Sequence, residues 1–149
     1  MSTTNYSLYT IPVAWVLSIA PHFYAASLAN KVGKFDNTNP RNSTEKLKAK
    51  MSAAQLGMYQ RAEAAQQNGF ENIGLFAASV VAANVARVPV STVNSLSLFY
   101  LASRVVYNLL YINTESLPIS NVRSVVFVGG IVSIMTLFVK AGNALNLLL

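Results

Sequence analysis

Four polar clusters interrupt the apolar stretches of this chain: Lys31; Asn68 with Glu71; Arg104 with Tyr107 and Tyr111; and Arg123 with Ser124. A charge at the centre of a bilayer costs about 2.5–3.5 kcal/mol or more, so intramembrane Glu and Arg persist mainly where they bind something or pair with each other. Asn68 and Glu71 are three residues apart, and Arg61 lies seven before Asn68, so all three share one helix face. Arg104, Tyr107 and Tyr111, at i, i+3 and i+7, make a stripe about 10 Å long on a second helix. Together the clusters offer cations (Lys31, Arg104, Arg123), a carboxylate, an amide and phenols. Such a set suits a zwitterionic ligand with carboxylates, such as a small peptide.

The elements that must carry these residues are membrane helices. The chain is 149 residues long, 53% hydrophobic and only 11% charged, with a mean hydropathy of +0.41. A soluble domain of this length carries a more charged surface. The expectation is a single all-α domain over 1–149, a four-helix transmembrane bundle with helices near 8–29, 44–87, 90–113 and 118–147. Leu8 to Ala29 is free of formal charge and long enough to span. No basic stretch precedes it, so it reads as a retained helix rather than a cleaved signal. Asn39-Pro40 is a turn signal, Asn42 or Ser43 a plausible N-cap, and no proline follows until Pro89. The second helix is therefore expected to run unbroken from about Thr44, its first part a solvated stalk. Pro118 suits a first helical turn, where its missing N–H is not needed.

Basic residues set the orientation. Lys31, Lys34, Arg41, Lys46, Lys48, Lys50 and Arg61 fall in the first connection, and none precedes the first span. The positive-inside rule then makes the first and third connections cytosolic and both termini lumenal. On that topology every polar cluster except His22 and Lys140 falls in the cytosolic leaflet, which points to one shared site. The location is a multi-pass protein of the endoplasmic reticulum or another internal membrane, in contact with lipid. The +6 net charge is not a nucleic-acid footprint, since no basic stripe is interleaved with stacking aromatics.

These residues also carry a family resemblance. Arg61-Ala62, Asn68-Gly-Phe-Glu71-Asn-Ile-Gly-Leu-Phe76, Ser103-Arg104-Val-Val-Tyr107-Asn-Leu-Leu-Tyr111 and Val122-Arg123-Ser124 resemble the MAPEG superfamily, membrane-associated proteins of eicosanoid and glutathione metabolism. The resemblance covers all four expected helices. It implies a homotrimer with glutathione bound between neighbouring subunits, near the cytosolic face, and a lipophilic small molecule as second substrate. By position, Asn68 and Glu71 resemble the pair that holds the peptide's polar backbone and amino end, with Tyr107 and Tyr111 as further contacts. Arg123 resembles the arginine that stabilises the thiolate, Ser124 its neighbour in the prostaglandin branch, and Lys31 a carboxylate contact. Arg61 and Arg104 join the same set of glutathione-binding candidates. The chain departs from the family's pattern at Ala64, where an arginine is common, at Gly74, near a common proline, and at Phe127, where the prostaglandin branch has a tyrosine.

Other readings stand beside these. Glu71 and Arg104 could form a buried ion pair that fixes packing without touching a ligand. Tyr107 and Tyr111 suit an interfacial aromatic belt. His22, the only histidine, argues against a metal site; it suits an inter-helix hydrogen bond, or acid/base work in an enzyme that dispenses with glutathione. With no cysteine, any thiol chemistry must come from the ligand. The functional expectations are a glutathione-dependent transferase, peroxidase or isomerase for a lipophilic electrophile, a glutathione-independent isomerase or cyclase, or a non-catalytic lipid-presenting scaffold.

Overall fold

A computed structural model describes residues 4–147. Among them the chain is all helix: a 3-10 turn at Ser7–Tyr9, then α1 (Thr10–Val32), α2 (Pro40–Lys48), α3 (Ala53–Val85), α4 (Val90–Asn113) and α5 (Leu117–Asn146). Three segments are long and apolar enough to cross a membrane: Ser7–Val32, Val90–Asn113 and Leu117–Asn146. The longest helix, α3, is not among them, because Arg61, Glu63, Glu71 and its amides make its first half polar. Large apolar side chains face outward, Phe23 at 66% and Val125 at 71% exposure, as suits lipid or a neighbouring chain.

The expected helix from about Thr44 to Arg87 is in fact two. Pro40 takes the first turn of α2 behind Asn39, which displaces the expected caps at Asn42 and Ser43. The chain then breaks at Ala49–Met51, and Ser52 restarts it: its hydroxyl accepts from the Gln55 N–H while the Gln55 side chain accepts from the Ser52 N–H. Such a capping box satisfies two donors that a helix start leaves unpaired. A strong start signal at Ser52 thus outweighs the absence of proline. Pro118 does occupy the first turn of α5.

The long helices pack as two close pairs, α1 on α3 and α4 on α5, with α3 also against α4 and α5. Gly69 allows the first pairing: a Cβ there would stand 2.9 Å from the Ser18 side chain. Phe76 stacked on Tyr100 at 4.0 Å centres a core that reaches from α1 to Ile134 and Leu137 of α5. A smaller cluster, at the end where α2 lies, joins Ala25, Leu28 and Ala29 to Leu47, Tyr59 and Ala62.

A third tie follows from Pro21. Its missing N–H leaves the Leu17 carbonyl without the usual i→i−4 partner, and Asn108 of α4 fills the place, its Nδ2 donating to that carbonyl at 2.9 Å. Asn108→Leu should destabilise the protein by about 1–3 kcal/mol by stranding that acceptor. The double variant Pro21→Ala/Asn108→Leu should recover most of the loss, because alanine restores the backbone donor. Thermal unfolding of the two variants checks this, and equal losses in both would show that the carbonyl is not what Asn108 serves.

At the opposite end, the N-terminal strand of chain is held by side-chain amides. Asn94 accepts from the Tyr6 N–H and donates to the Thr4 carbonyl, each at 2.9 Å, while Asn84 bonds both Asn5 and Ser7. Arg87, at φ 56°, turns the chain from α3 into α4 in a left-handed conformation that side chains adopt at some cost.

Candidate functional site

The stripe expected on α4 is present, and its centre is Arg104. The side chain is 4% exposed and has no carboxylate partner: among the described residues Glu63 contacts His22, Glu45 contacts Lys48 and Glu115 contacts Arg61. The expected Arg104–Glu71 pair is therefore not formed. Glu71 is exposed and accepts instead from Gln67 on its own helix at 3.1 Å. The reason is rotational. Asn68, one turn before, turns its amide oxygen towards Arg104 at 3.4 Å, which carries Glu71 round towards the surface.

Aromatic faces take the place of a counter-ion. The Arg104 guanidinium carbon lies 5.2 Å from the Tyr100 ring centre, 5.0 Å from Tyr107 and 5.1 Å from Phe127. Each such contact is worth about 0.5–2 kcal/mol, more where water is excluded. One further nitrogen reaches the Phe127 carbonyl at 3.4 Å, and among the described residues Nε has no partner. Gly130 makes the room: a Cβ there would come within 2.8 Å of Arg104 Nη2 and 2.7 Å of Ser103 Oγ.

From Arg104 the rings form a ladder to the second arginine. Tyr107 and Tyr111 have centres 5.4 Å apart, and the Arg123 guanidinium carbon lies 4.2 Å from the Tyr111 ring centre. Arg123 also donates to Ser120 Oγ at 2.9 Å, one turn back on α5. Ser124 is exposed, and its hydroxyl donates to the Ser120 carbonyl at 3.2 Å, so it does not bond Arg123. Two cations, two phenols and an amide thus converge from α3, α4 and α5.

Other expected members are elsewhere within the protomer. Arg61 is spent on the α4–α5 connection, pairing with Glu115 at 2.8 Å and donating to the Ile112 carbonyl at 2.9 Å. Lys31 is exposed in the last turn of α1, outside the ladder. His22 is not remote from the polar end, as the topology had it. Its Nδ1 meets Glu63 Oε1 at 3.0 Å, only two residues from Arg61. Sequence reasoning passed over Glu63, Glu115, Asn108 and the ring of Tyr100. A sole intramembrane histidine calls for a partner, and Glu63, on the helix that packs against α1, was the available signal.

What this cluster can do follows from its parts. A buried arginine with no partner on Nε among the described residues keeps an unused donor, and a second, half-buried arginine stands at the far end of the ladder. The separated cations, with an exposed carboxylate at Glu71, match a ligand that carries both signs of charge.

No curated protein and no solved structure gives a significant match to the chain. The sequence profile of the MAPEG family matches residues 8–143, which takes in α1, α3 and α4, all but the last turn of α5, and every residue of the ladder. This chain belongs to the MAPEG family, and is a membrane protein of the glutathione-transferase and eicosanoid-synthesis kind.

Proposed function

We propose that the protein is a glutathione-dependent transferase, peroxidase or isomerase acting on a lipophilic electrophile drawn from the membrane. The observation that carries this reading is the ladder Arg104–Tyr107–Tyr111–Arg123 beside Asn68 and Glu71. The donor set fits glutathione: Arg104, with its free Nε, and Lys31 of a neighbouring protomer would take carboxylates, and Glu71 the amine. Glutathione supplies a thiol, whose ordinary pKa is about 8.5. Arg123 stabilises the thiolate form by charge, and the packed rings of Tyr111, Tyr107 and Phe127 keep water from it. Ser124 borders Arg123 on the outer face of α5, where the second substrate would enter laterally between α1 and α5 of adjacent protomers. On this reading the protomers form a homotrimer, and α3 supplies a fourth crossing, with its polar half at the cytosolic surface.

Thermal unfolding of the detergent-solubilised protein tests the binding step. Glutathione should raise the melting temperature saturably, the stabilisation reaching about 2.7 kcal/mol at a hundred times Kd. A flat titration into the millimolar range would end the glutathione reading and leave a glutathione-independent isomerase or cyclase, with His22 as its acid/base group.

The site would face the cytosol of an endoplasmic reticulum or other internal membrane, because the basic residues cluster in 31–61. In this cysteine-free chain, Lys46→Cys in sealed microsomes should react with an impermeant maleimide from the cytosolic side. Labelling only after the vesicles are opened would reverse the orientation.

A further inference from the structure

On another face of α3, about 180° round the helix from Asn68, lies a cavity that the ladder does not use. Its volume is about 450 Å³, within the ~300–1,000 Å³ usual for small-molecule sites. His22 and Asn30 of α1, Phe35, Asn37 and Thr44 of the covering segment, and Tyr59 of α3 line it.

The cover is built rather than loosely draped. The Asp36 N–H donates to Ser43 Oγ at 2.8 Å, and Thr38 donates to the Asp36 carboxylate through both hydroxyl and N–H, at 2.6 and 2.9 Å. Those two bonds from Thr38 hold the Asp36 carboxyl below its ordinary range. Leu47 pins α2 down onto Ala25, Leu28 and Tyr59. Gly33 lets the chain pass close beneath it: a Cβ there would stand 2.8 Å from Leu47 Cδ2.

The chemistry of the lining selects a ligand. No Lys or Arg is among the lining residues, and Lys48, which stands 5.5 Å over the Tyr59 ring, is paired with Glu45, so a carboxylate or phosphate finds no counter-ion within the lining. The carboxylates around it are already engaged, Glu63 by His22, Asp36 by Thr38 and Glu45 by Lys48, which leaves none for an amine. What remains is apolar wall, two amides, two hydroxyls and an imidazole. A carboxylate that accepts the Nδ1 proton leaves Nε2 of a neutral ring as the acceptor. Among the described residues Nε2 has no partner.

We infer that this cavity is a second small-molecule site, which takes a neutral, lipid-soluble alcohol or phenol and accepts its hydroxyl hydrogen bond at His22 Nε2. The apolar body of such a molecule fits between Phe35 and the alanines of α1, and its entry from the membrane surface needs no charge to be shed. Glu63 acts as a positioning residue, holding the ring in the tautomer that leaves Nε2 open.

The single histidine makes the test direct. Full-length protein labelled with ¹⁵N-histidine reports one ring environment, and the probes are 4-hexylphenol and hexylbenzene, without glutathione. The phenol should shift the Nε2 resonance saturably, at a concentration about tenfold below any effect of hexylbenzene, the worth of one net hydrogen bond. Asn37→Phe, which fills the cavity from its cover without touching a helix contact, should abolish that shift at an unchanged melting temperature. Equal responses to the two probes, no response to the phenol, or an undiminished response in the filled variant would each overturn the assignment. If Asn37→Phe does not fold, Thr44→Leu provides the same blocking test from α2.

Discussion

Arg123→Ala should lower glutathione-dependent turnover by about 10²-fold or more while the assembled protein remains intact. A preorganised charge that faces a reacting anion typically contributes about 2.7–4 kcal/mol to the barrier. The structural cost of the change is small, because Arg123 is only half-buried and makes one side-chain hydrogen bond, to Ser120 within its own helix. Its contact with Tyr111 at 4.2 Å fixes where the charge stands, so Arg123→Lys should restore only part of the rate: a lysine keeps the sign but not the planar stacking. Two measurements check this. Native mass spectrometry should show the same oligomer for wild type and variant, and the ultraviolet absorbance of bound thiolate should vanish in Arg123→Ala. Full glutathione-dependent activity in the variant would remove Arg123 from the chemistry.

Arg104→Met should do the reverse of what an ion-pair partner does. Were Arg104 paired with Glu71, its loss would strand a buried carboxylate at a cost of about 3–5 kcal/mol. Instead Glu71 is exposed, and Arg104 is a buried cation with an empty Nε. Methionine leaves an unbranched apolar chain among Tyr100, Tyr107 and Phe127 and removes a desolvated charge. The melting temperature of the unliganded variant should hold or rise. Glutathione should bind about 10–100-fold more weakly, the worth of one or two charge-assisted hydrogen bonds. Thermal unfolding with and without glutathione reads both quantities on one sample. A variant that melts several degrees lower without ligand would make Arg104 a packing residue, and one that binds glutathione as tightly as wild type would place the ligand elsewhere.

Sequence by itself determined the class of molecule and most of the helix ends. An uncharged run located α1 within a few residues, α4 was expected at 90–113 and found there, and Pro118 marked the first turn of α5. Those features are local: they depend on hydropathy, length and the missing N–H of proline. The same holds for the stripe of Arg104, Tyr107 and Tyr111, because i, i+3 and i+7 spacing puts residues on one face whatever that face meets. Tertiary structure alone decided what each polar group faces. It gave Arg104 three rings rather than Glu71, drew Arg61 to Glu115, and set His22 against Glu63. It also supplied Asn108 to the carbonyl that Pro21 leaves bare, and folded 33–48 into the cover of a cavity. The physical reason is rotation: α3 carries polar residues on several faces, so spacing cannot say which face a neighbouring helix will bury. Close approach at Gly69 and Gly130 helps to settle it, because the absence of a side chain there lets the neighbouring residues come near.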